Sequence, residues 1–407
     1  MNVNKLKFKF LVTVSFFFGI NNAIALENEV KMGGIYDVQS IYYKNNGKRE
    51  QRIVSINSKE FALNTSGNIF VDYRLISDDN DIYGAKISFE HTTYNDRAVP
   101  LYLYYESEYG RWEGGADSSA GKKMRITGYT SSCGLGNGWN SIIKPSPNVV
   151  TSSDKLTAYI TNFCSFLDSK TRTAVKSDYS RKITYFTPKL PLSKDHQLQF
   201  GVSYIPDSSN MGHDDVDADK KNAAVPLVPY NFAIKDGISY GGAYKGKFSD
   251  ELSAKVSFVG EFGKVLAFNK KDDTKSDIKF KDLNTYVVGG ELKYNDISIS
   301  AAYTNYNKSL TAKSVDKISR DSYAYGFGVK YNLDKYIFSI NQFNSSFKKN
   351  KLYATSLGAE YLVAKGFKTY AQTTLYRNDG KYLDTSNVVK SNKGRGFLAF
   401  LGMKISF

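Results

Sequence analysis

Three observations predict an all-β fold, a 16-stranded antiparallel transmembrane β-barrel. Apolar residues recur at every second position in segment after segment, the period of a strand with two unlike faces. The 407-residue chain is polar on average, with a mean hydropathy of −0.40, yet it is 14% aromatic, with 31 Tyr, 26 Phe and 32 Gly against 8 Pro. That composition suits many long strands carrying aromatics on one face. After residue 25 there is no run of 18 apolar residues that could cross a membrane as a helix.

The first element is a leader. Lys5, Lys7 and Lys9 precede the apolar run from Phe10 to Ile20, and Ala23-Ile24-Ala25 has the small-residue pattern of a cleavage site. Residues 1–25 are therefore expected to be a secretory signal peptide, and 26–407 the barrel. An exported chain with no membrane helix can still span a bilayer as a closed sheet, in which every backbone group is paired internally. Removing the leader takes away three Lys and no acids, so Lys+Arg falls from 55 to 52 against 40 Asp+Glu, a net +12. Export makes nucleic acid an unsuitable partner for this charge and leaves anionic lipid or anionic solutes.

Sixteen alternating segments follow in order: 32–43, 68–76, 82–92, 99–108, 110–115, 181–187, 196–205, 237–248, 251–262, 285–294, 296–306, 323–331, 335–343, 352–361, 366–376 and 394–407. Short breaks such as SDDND, KLPLSKD, ND and LD rotate with long polar stretches. Short periplasmic turns and long extracellular loops are the outer-membrane pattern, and an even count leaves both ends on the short-turn side. The second segment puts Ile69, Val71, Tyr73 and Leu75 on one face, with Asp72 and Arg74 on the other. The third sets Tyr83, Ala85, Ile87 and Phe89 against Lys86 and Ser88. In most segments the second face carries Gly, Ser and Lys. Sixteen strands enclose a lumen too wide for side chains to fill, so the polar face should meet water and the apolar face lipid, with Tyr near strand ends forming girdles.

Parity therefore turns Arg74, Lys86, Lys182, Lys245, Lys255, Lys293, Lys330, Lys368 and Lys404 inward, together with Asp37, Asp72, Glu90, Glu106, Glu291 and Glu360. From about 116 to 180 the alternation stops, a stretch longer than structureless loops usually are. It holds Asp117, Lys122, Lys123 and Arg125, and both cysteines, Cys133 and Cys164. In an oxidising compartment these two are expected to form a disulfide. Closing such a loop contributes roughly 3–4 kcal/mol in the chain-entropy account.

The segments MGGIYDVQS, EYGRWEGG with its long insertion, RKITYFTPKL…LQFGVSYIPD, LGAEYLVAKGFKTYAQ and the terminal GMKISF resemble the general porins of Gram-negative bacteria, in their alphaproteobacterial branch. Trp112 and Gly114–Gly115 depart from the more usual Leu-Glu-Leu-Gly. The resemblance implies a homotrimer with the third loop, 116–180, folded into the pore. It implies an outer-membrane location beside lipid and lipopolysaccharide. It also implies that GMKISF, with Met403, Ile405 and Phe407 on one face, is read by the barrel-assembly machinery. Charge at a narrow polar passage selects ions. The expected constriction set is Arg74, Lys86, Asp117, Lys122, Lys123, Arg125, Lys182 and Lys404, which favours weak anion preference for diffusing ions and small hydrophilic solutes.

Signals for catalysis are poor. The three His are His91, His196 and His213, and no metalloprotease, hydrolase-elbow or phosphate-loop motif occurs. His213 lies among Asp214, Asp215, Asp217 and Asp219, but the spacing fits no cation loop, and a solvated acidic loop is the better reading. No enzyme, metal or cofactor is expected. The rival function is a surface adhesin or structural protein that uses the barrel only as an anchor.

Overall fold

The structure is a computed structural model. It describes residues 27–45, 61–92, 95–126, 180–208, 230–269, 277, 279–309, 313, 322–347, 350–383 and 389–407. The leader, Cys133 and Cys164, and the acidic stretch 211–221 lie outside the described residues.

Among the described residues, seventeen strands form one antiparallel sheet that closes on itself. In chain order they are β1 (Glu27–Asn45), β2 (Phe61–Ile76), β3 (Ile82–Thr92), β4 (Asn95–Ser107), β5 (Gly110–Ala116), β6 (Arg181–Phe186), β7 (Leu190–Ser193), β8 (His196–Asp207) and β9 (Tyr230–Lys247). Then come β10 (Leu252–Asn269), β11 (Leu283–Tyr294), β12 (Ile297–Asn307), β13 (Ser322–Leu333), β14 (Tyr336–Phe347), β15 (Asn350–Ala364), β16 (Phe367–Leu383) and β17 (Val389–Ser406). Among the described residues one short helix, α1 (Ala120–Met124), follows β5.

The barrel has sixteen staves plus one extra strand, because β6 and β7 both pair with β8. KLPLSKD, expected as a short break between two strands, is thus no simple turn, because Leu190–Ser193 within it forms β7. The break falls at Thr187-Pro188-Lys189, where Thr187 N–H donates to the Phe200 carbonyl at 2.9 Å and keeps the stave in register. Proline supplies no N–H for the ladder, so the stave is interrupted and then resumes.

The ring closes where β1 pairs with both β2 and β17. At the seam, Gly34 and Phe407 exchange backbone hydrogen bonds of 2.9 and 3.1 Å. A Cβ on Gly34 would sit 2.9 Å from the Phe407 ring and 2.8 Å from the Asn68 carbonyl oxygen, so the close approach requires glycine.

Inside-out burial follows the alternation. Outward side chains are exposed, such as Ile69 at 48% and Leu401 at 65%, while inward Gln39, Ser257 and Thr374 are buried. The turns at one end are tight. Asn295 and Asp334 take φ of 48° and 52°, conformations that Asn and Asp tolerate, in turns ND and LD.

The inner face is less uniformly polar than parity alone suggests. Ile41, Leu398, Phe400, Tyr370, Tyr376, Phe343 and Leu352, with Ala302, Ala324, Ala354 and Tyr306, form a buried apolar cluster on the inner side of β12–β17 and β1. It occupies mainly the long-loop half of those strands. Reading the terminal strand by its outward stripe hides Leu398 and Phe400, which share the opposite parity with Gly402 and Lys404.

Candidate functional site

The third loop starts inside the barrel. Its first residues form α1 rather than irregular chain, and α1 lies on the inner wall of β6, β8, β9 and β10. Ala120 and Met124 pack with Phe186, Ala243, Val259 and Val287, and Ile126 rests at the edge. Small residues admit this contact. A Cβ on Gly241 would meet Met124 Cβ at 3.1 Å, and one on Gly289 would meet the Ile126 carbonyl oxygen at 2.4 Å.

A track of serines on the wall reads the backbone of this segment. Ala120 N–H donates to Ser203 Oγ at 2.7 Å, Gly121 N–H to Ser239 Oγ at 3.1 Å, and Ile126 N–H to Ser257 Oγ at 2.7 Å. Ser119 Oγ and Ser239 Oγ both donate to Glu261 Oε1, at 2.9 and 2.8 Å. The groups around Ser119, Ala120 and Gly121 are buried and Ile126 is half-buried, so each satisfied buried donor or acceptor avoids a desolvation penalty of about 1–3 kcal/mol.

Beside this floor runs an ionic band on the inner wall of β2, β4, β5 and α1. Arg74 Nη2 lies 2.7 Å from Asp72 Oδ2, and its Nη1 is 3.8 Å from Glu29. Tyr104 donates its hydroxyl to Asp72 Oδ1 at 2.8 Å. The Arg111 guanidinium lies 3.8 Å over the Tyr104 ring and reaches Glu106 at 2.9 Å and Glu113 at 2.8 Å. Lys123 of α1 pairs with Glu113, and with Asp117 at 2.6 Å. Lys182 Nζ donates to the Asp117 and Ser180 carbonyl oxygens. Lys86 sits 4.3 Å over the Phe70 ring.

The expected set is therefore partly assembled. Arg74, Asp117, Lys123 and Lys182 join one band, and Lys86 faces Asp72 across β2 and β3. Lys122 and Arg125 lie on or next to α1. Lys404 is in β17, away from α1, opposite Asp37 in register. Lys368 pairs with Glu360, and Lys255 with Glu291 at 3.2 Å. The Glu90 side chain lies outside the described set.

Sequence reading missed Arg111, Glu113, Tyr104, Ser239 and Glu261. For Arg111 and Glu113 the signal was present: they alternate with Trp112 and Gly114 in GRWEGG. Tyr104, Ser239 and Glu261 carried none, because nothing in one strand tells it which loop will lie against it.

The aromatics of the inner wall lie flat. A Cβ on Gly84 would stand 2.1 Å from Tyr104, and one on Gly402 would stand 2.4 Å from Tyr370. Each ring spans a glycine strand and donates its hydroxyl to an aspartate on the strand beyond, Tyr104 to Asp72 and Tyr370 to Asp37, the second at 2.7 Å. The device appears twice, on β2–β4 and on β16–β1.

A closed ring with an apolar exterior, ionic pairs within and a loop root fixed to the inner wall is the architecture of a transmembrane pore. The family model for Gram-negative porins matches residues 13–381. The chain belongs to the Gram-negative porin family. This porin is an outer-membrane protein with relatives in Rickettsia. It is 27% identical over 416 residues to an uncharacterised protein of Rickettsia conorii, covering 94% of this chain and 93% of that one. To an uncharacterised protein of Rickettsia prowazekii it is 26% identical over 419 residues, with the same coverages of 94% and 93%. The porin also has the fold of an anion-selective porin from Comamonas acidovorans, with a TM-score of 0.56, 13% identity, and 94% and 100% of the two chains covered. It likewise resembles the outer-membrane protein OmpT of Vibrio cholerae in its trimer form, with a TM-score of 0.55, 14% identity, and 93% and 99% covered.

Proposed function

We propose that this porin is a passive diffusion channel for ions and small hydrophilic solutes, with weak anion preference, working as a homotrimer. The observation that carries the reading is the fixed root of the third loop. Residues 119–126 are fastened across three staves by backbone-reading serines, beside a band of matched charges. A loop root held this firmly defines a passage, and no catalytic step is assigned to it.

Pairing explains why the preference should be weak. Arg74, Arg111, Lys123, Lys255 and Lys368 each have a carboxylate within ion-pair reach. A passing ion therefore meets opposed charges at close range, and the remaining basic surplus, with Lys86 and Lys404 among it, tips the sign. The test is the reversal potential of reconstituted protein in a KCl gradient. A small anion-selective potential is expected, and a clear cation preference overturns the sign. Stepwise conductance in groups of three supports the trimer. A folded barrel without conductance would favour the anchor reading instead.

The same proposal includes cleavage of 1–25, a Cys133–Cys164 disulfide, a lipid and lipopolysaccharide environment, and recognition of Met403, Ile405 and Phe407 by the barrel-assembly machinery. Mass spectrometry of alkylated, unreduced protein checks the disulfide, and full labelling of both thiols refutes it.

A further inference from the structure

Two arginines stand opposite each other at the long-loop edge of the belt. Arg377 on β16 and Arg395 on β17 are direct cross-strand partners. Both are exposed, and parity puts them on the outward face, Arg377 with Leu375 and Arg395 with Phe397 and Leu401. One step nearer the loop, Asp379 and Lys393 are partners, with Nζ 3.6 Å from the carboxylate, and Lys351 of β15 flanks Asp379. Four basic side chains thus share this face with one described carboxylate.

Like charges directly opposite each other destabilise a sheet, and elsewhere this barrel offsets that cost. Among the described residues four cross-strand pairs are basic on both sides. Lys255, opposite Lys245, lies 3.2 Å from Glu291. Lys264, opposite Lys235, lies 3.5 Å from Asp236. Lys368, opposite Lys404, pairs with Glu360. Neither Arg377 nor Arg395 has a carboxylate within ion-pair reach among the described residues. This pair is left to take its counter-charge from a partner.

Height in the membrane says which partner. Phe367 and Ile405 face each other on the same two strands at the short-turn end, and the arginines lie ten positions further along each. That is about 33 Å along the strand and about 24 Å in height at a ~45° tilt, the full height of a ~25 Å apolar band. The guanidinium groups therefore stand where acyl chains end and headgroups begin on the long-loop side. Beside and below them Tyr353 is 37% exposed and Leu375 62%, an apolar bed for the chains. A guanidinium fork matches phosphate oxygens two at a time, which a Lys ammonium does not.

We propose that Arg377 and Arg395 clamp the phosphate of an outer-leaflet lipid, with Lys393 and Lys351 behind it and the acyl chains lying on Leu375 and Phe397. This rests on the lipid environment proposed above and turns it into one defined site.

The test titrates folded protein in non-ionic detergent with dioleoyl phosphatidic acid, a phosphomonoester lipid, and counts bound lipid by native mass spectrometry. One saturable site per chain is expected. Arg377→Gln with Arg395→Gln should weaken it ~10-fold or more. Lys235→Gln with Lys264→Gln removes the same charge elsewhere on the wall and should leave it within ~2-fold. Arg377→Lys with Arg395→Lys keeps the charge, loses the forks and should fall between the two. Absence of a saturable site, equal losses in both glutamine variants, or a lysine variant as tight as the original chain overturns the clamp. Dioleoylglycerol, which has no phosphate, should not compete. Inorganic phosphate competing at the lipid's own concentration would overturn a lipid as the source. Heat-modifiable migration and unchanged conductance identify folded variants, and the lysine variant carries the test if the glutamine variant does not fold. Protein that fails to enter phosphatidylcholine vesicles defeats the lipid environment itself, whereas insertion without a phosphatidic acid site defeats the clamp alone.

Discussion

Two sectors of the inner wall are held by different physics. From β2 to β6 the wall is ionic: Asp72, Arg74, Arg111, Glu113 and Lys123 pair in a continuous band that reaches onto α1. From β12 round to β1 its long-loop half is apolar, with Leu398, Phe400, Ile41 and Phe343 buried as in a soluble core, while the short-turn half keeps the Lys368–Glu360 pair and Lys404 opposite Asp37. One side should govern what passes, and the other should hold the cylinder's shape. The two tasks need not share residues, so they can be separated by mutation.

The largest expected effect lies on the apolar side. Phe400→Ala removes a side chain that is 1% exposed and should cost about 3–5 kcal/mol of stability, read as a lower midpoint in urea with detergent. The reversal potential in a KCl gradient should not move. A shift in ion selectivity would break the comparison, because it would put the apolar sector in the ion path.

Next comes Glu113→Gln on the ionic side. Arg111 and Lys123 each lose a charged partner, so stability should fall by about 2 kcal/mol and the reversal potential should move toward stronger anion preference. Unchanged selectivity would mean that this band is buffered from passing ions.

The twin tyrosines sharpen the contrast. Tyr104→Phe and Tyr370→Phe each delete one hydroxyl bonded to a carboxylate, worth about 1.5–3 kcal/mol. Tyr104 also carries the Arg111 guanidinium on its ring. Only Tyr104→Phe should alter current noise or selectivity, measured on single channels.

The smallest effect belongs to a turn that touches neither sector. Asp250 is held below its ordinary carboxylate range by its hydrogen bond from Lys247. A depressed folded-state pKa contributes stability above the unfolded value of 3.8, and that contribution is lost as pH falls through the folded value. The group is fully exposed, so Asp250→Asn should shift the melting midpoint at pH 7 by little more than experimental error. The difference should vanish once the pH lies below the depressed folded-state value.

Much of the fold was legible because the belt writes itself in period two. Segment 82–92 matches β3 end to end, and 181–187 overruns β6 by one residue. Other strands outran their stripes. β9 begins at Tyr230 and not at 237, and β10 ends at Asn269 and not at 262, because these ends carry the ladder beyond the apolar stripe. The site was less legible. Parity turned Arg74 and Lys182 inward but could not show that Asp72 and the Asp117 carbonyl would meet them. Glu261 meets Ser119 across 142 positions of sequence, a contact that only the closed ring creates.

Gly115, the last residue but one of β5, takes φ of +138°, and a Cβ there would stand 2.5 Å from the Leu101 carbonyl oxygen. One residue later, after Ala116, the chain leaves the sheet and runs to α1 on the inner wall. The obstruction inside this cylinder therefore hangs on a hinge of one achiral residue. Any larger amino acid there sets backbone sterics against the inward turn, so the bore and the strength of the wall are coupled at a single position.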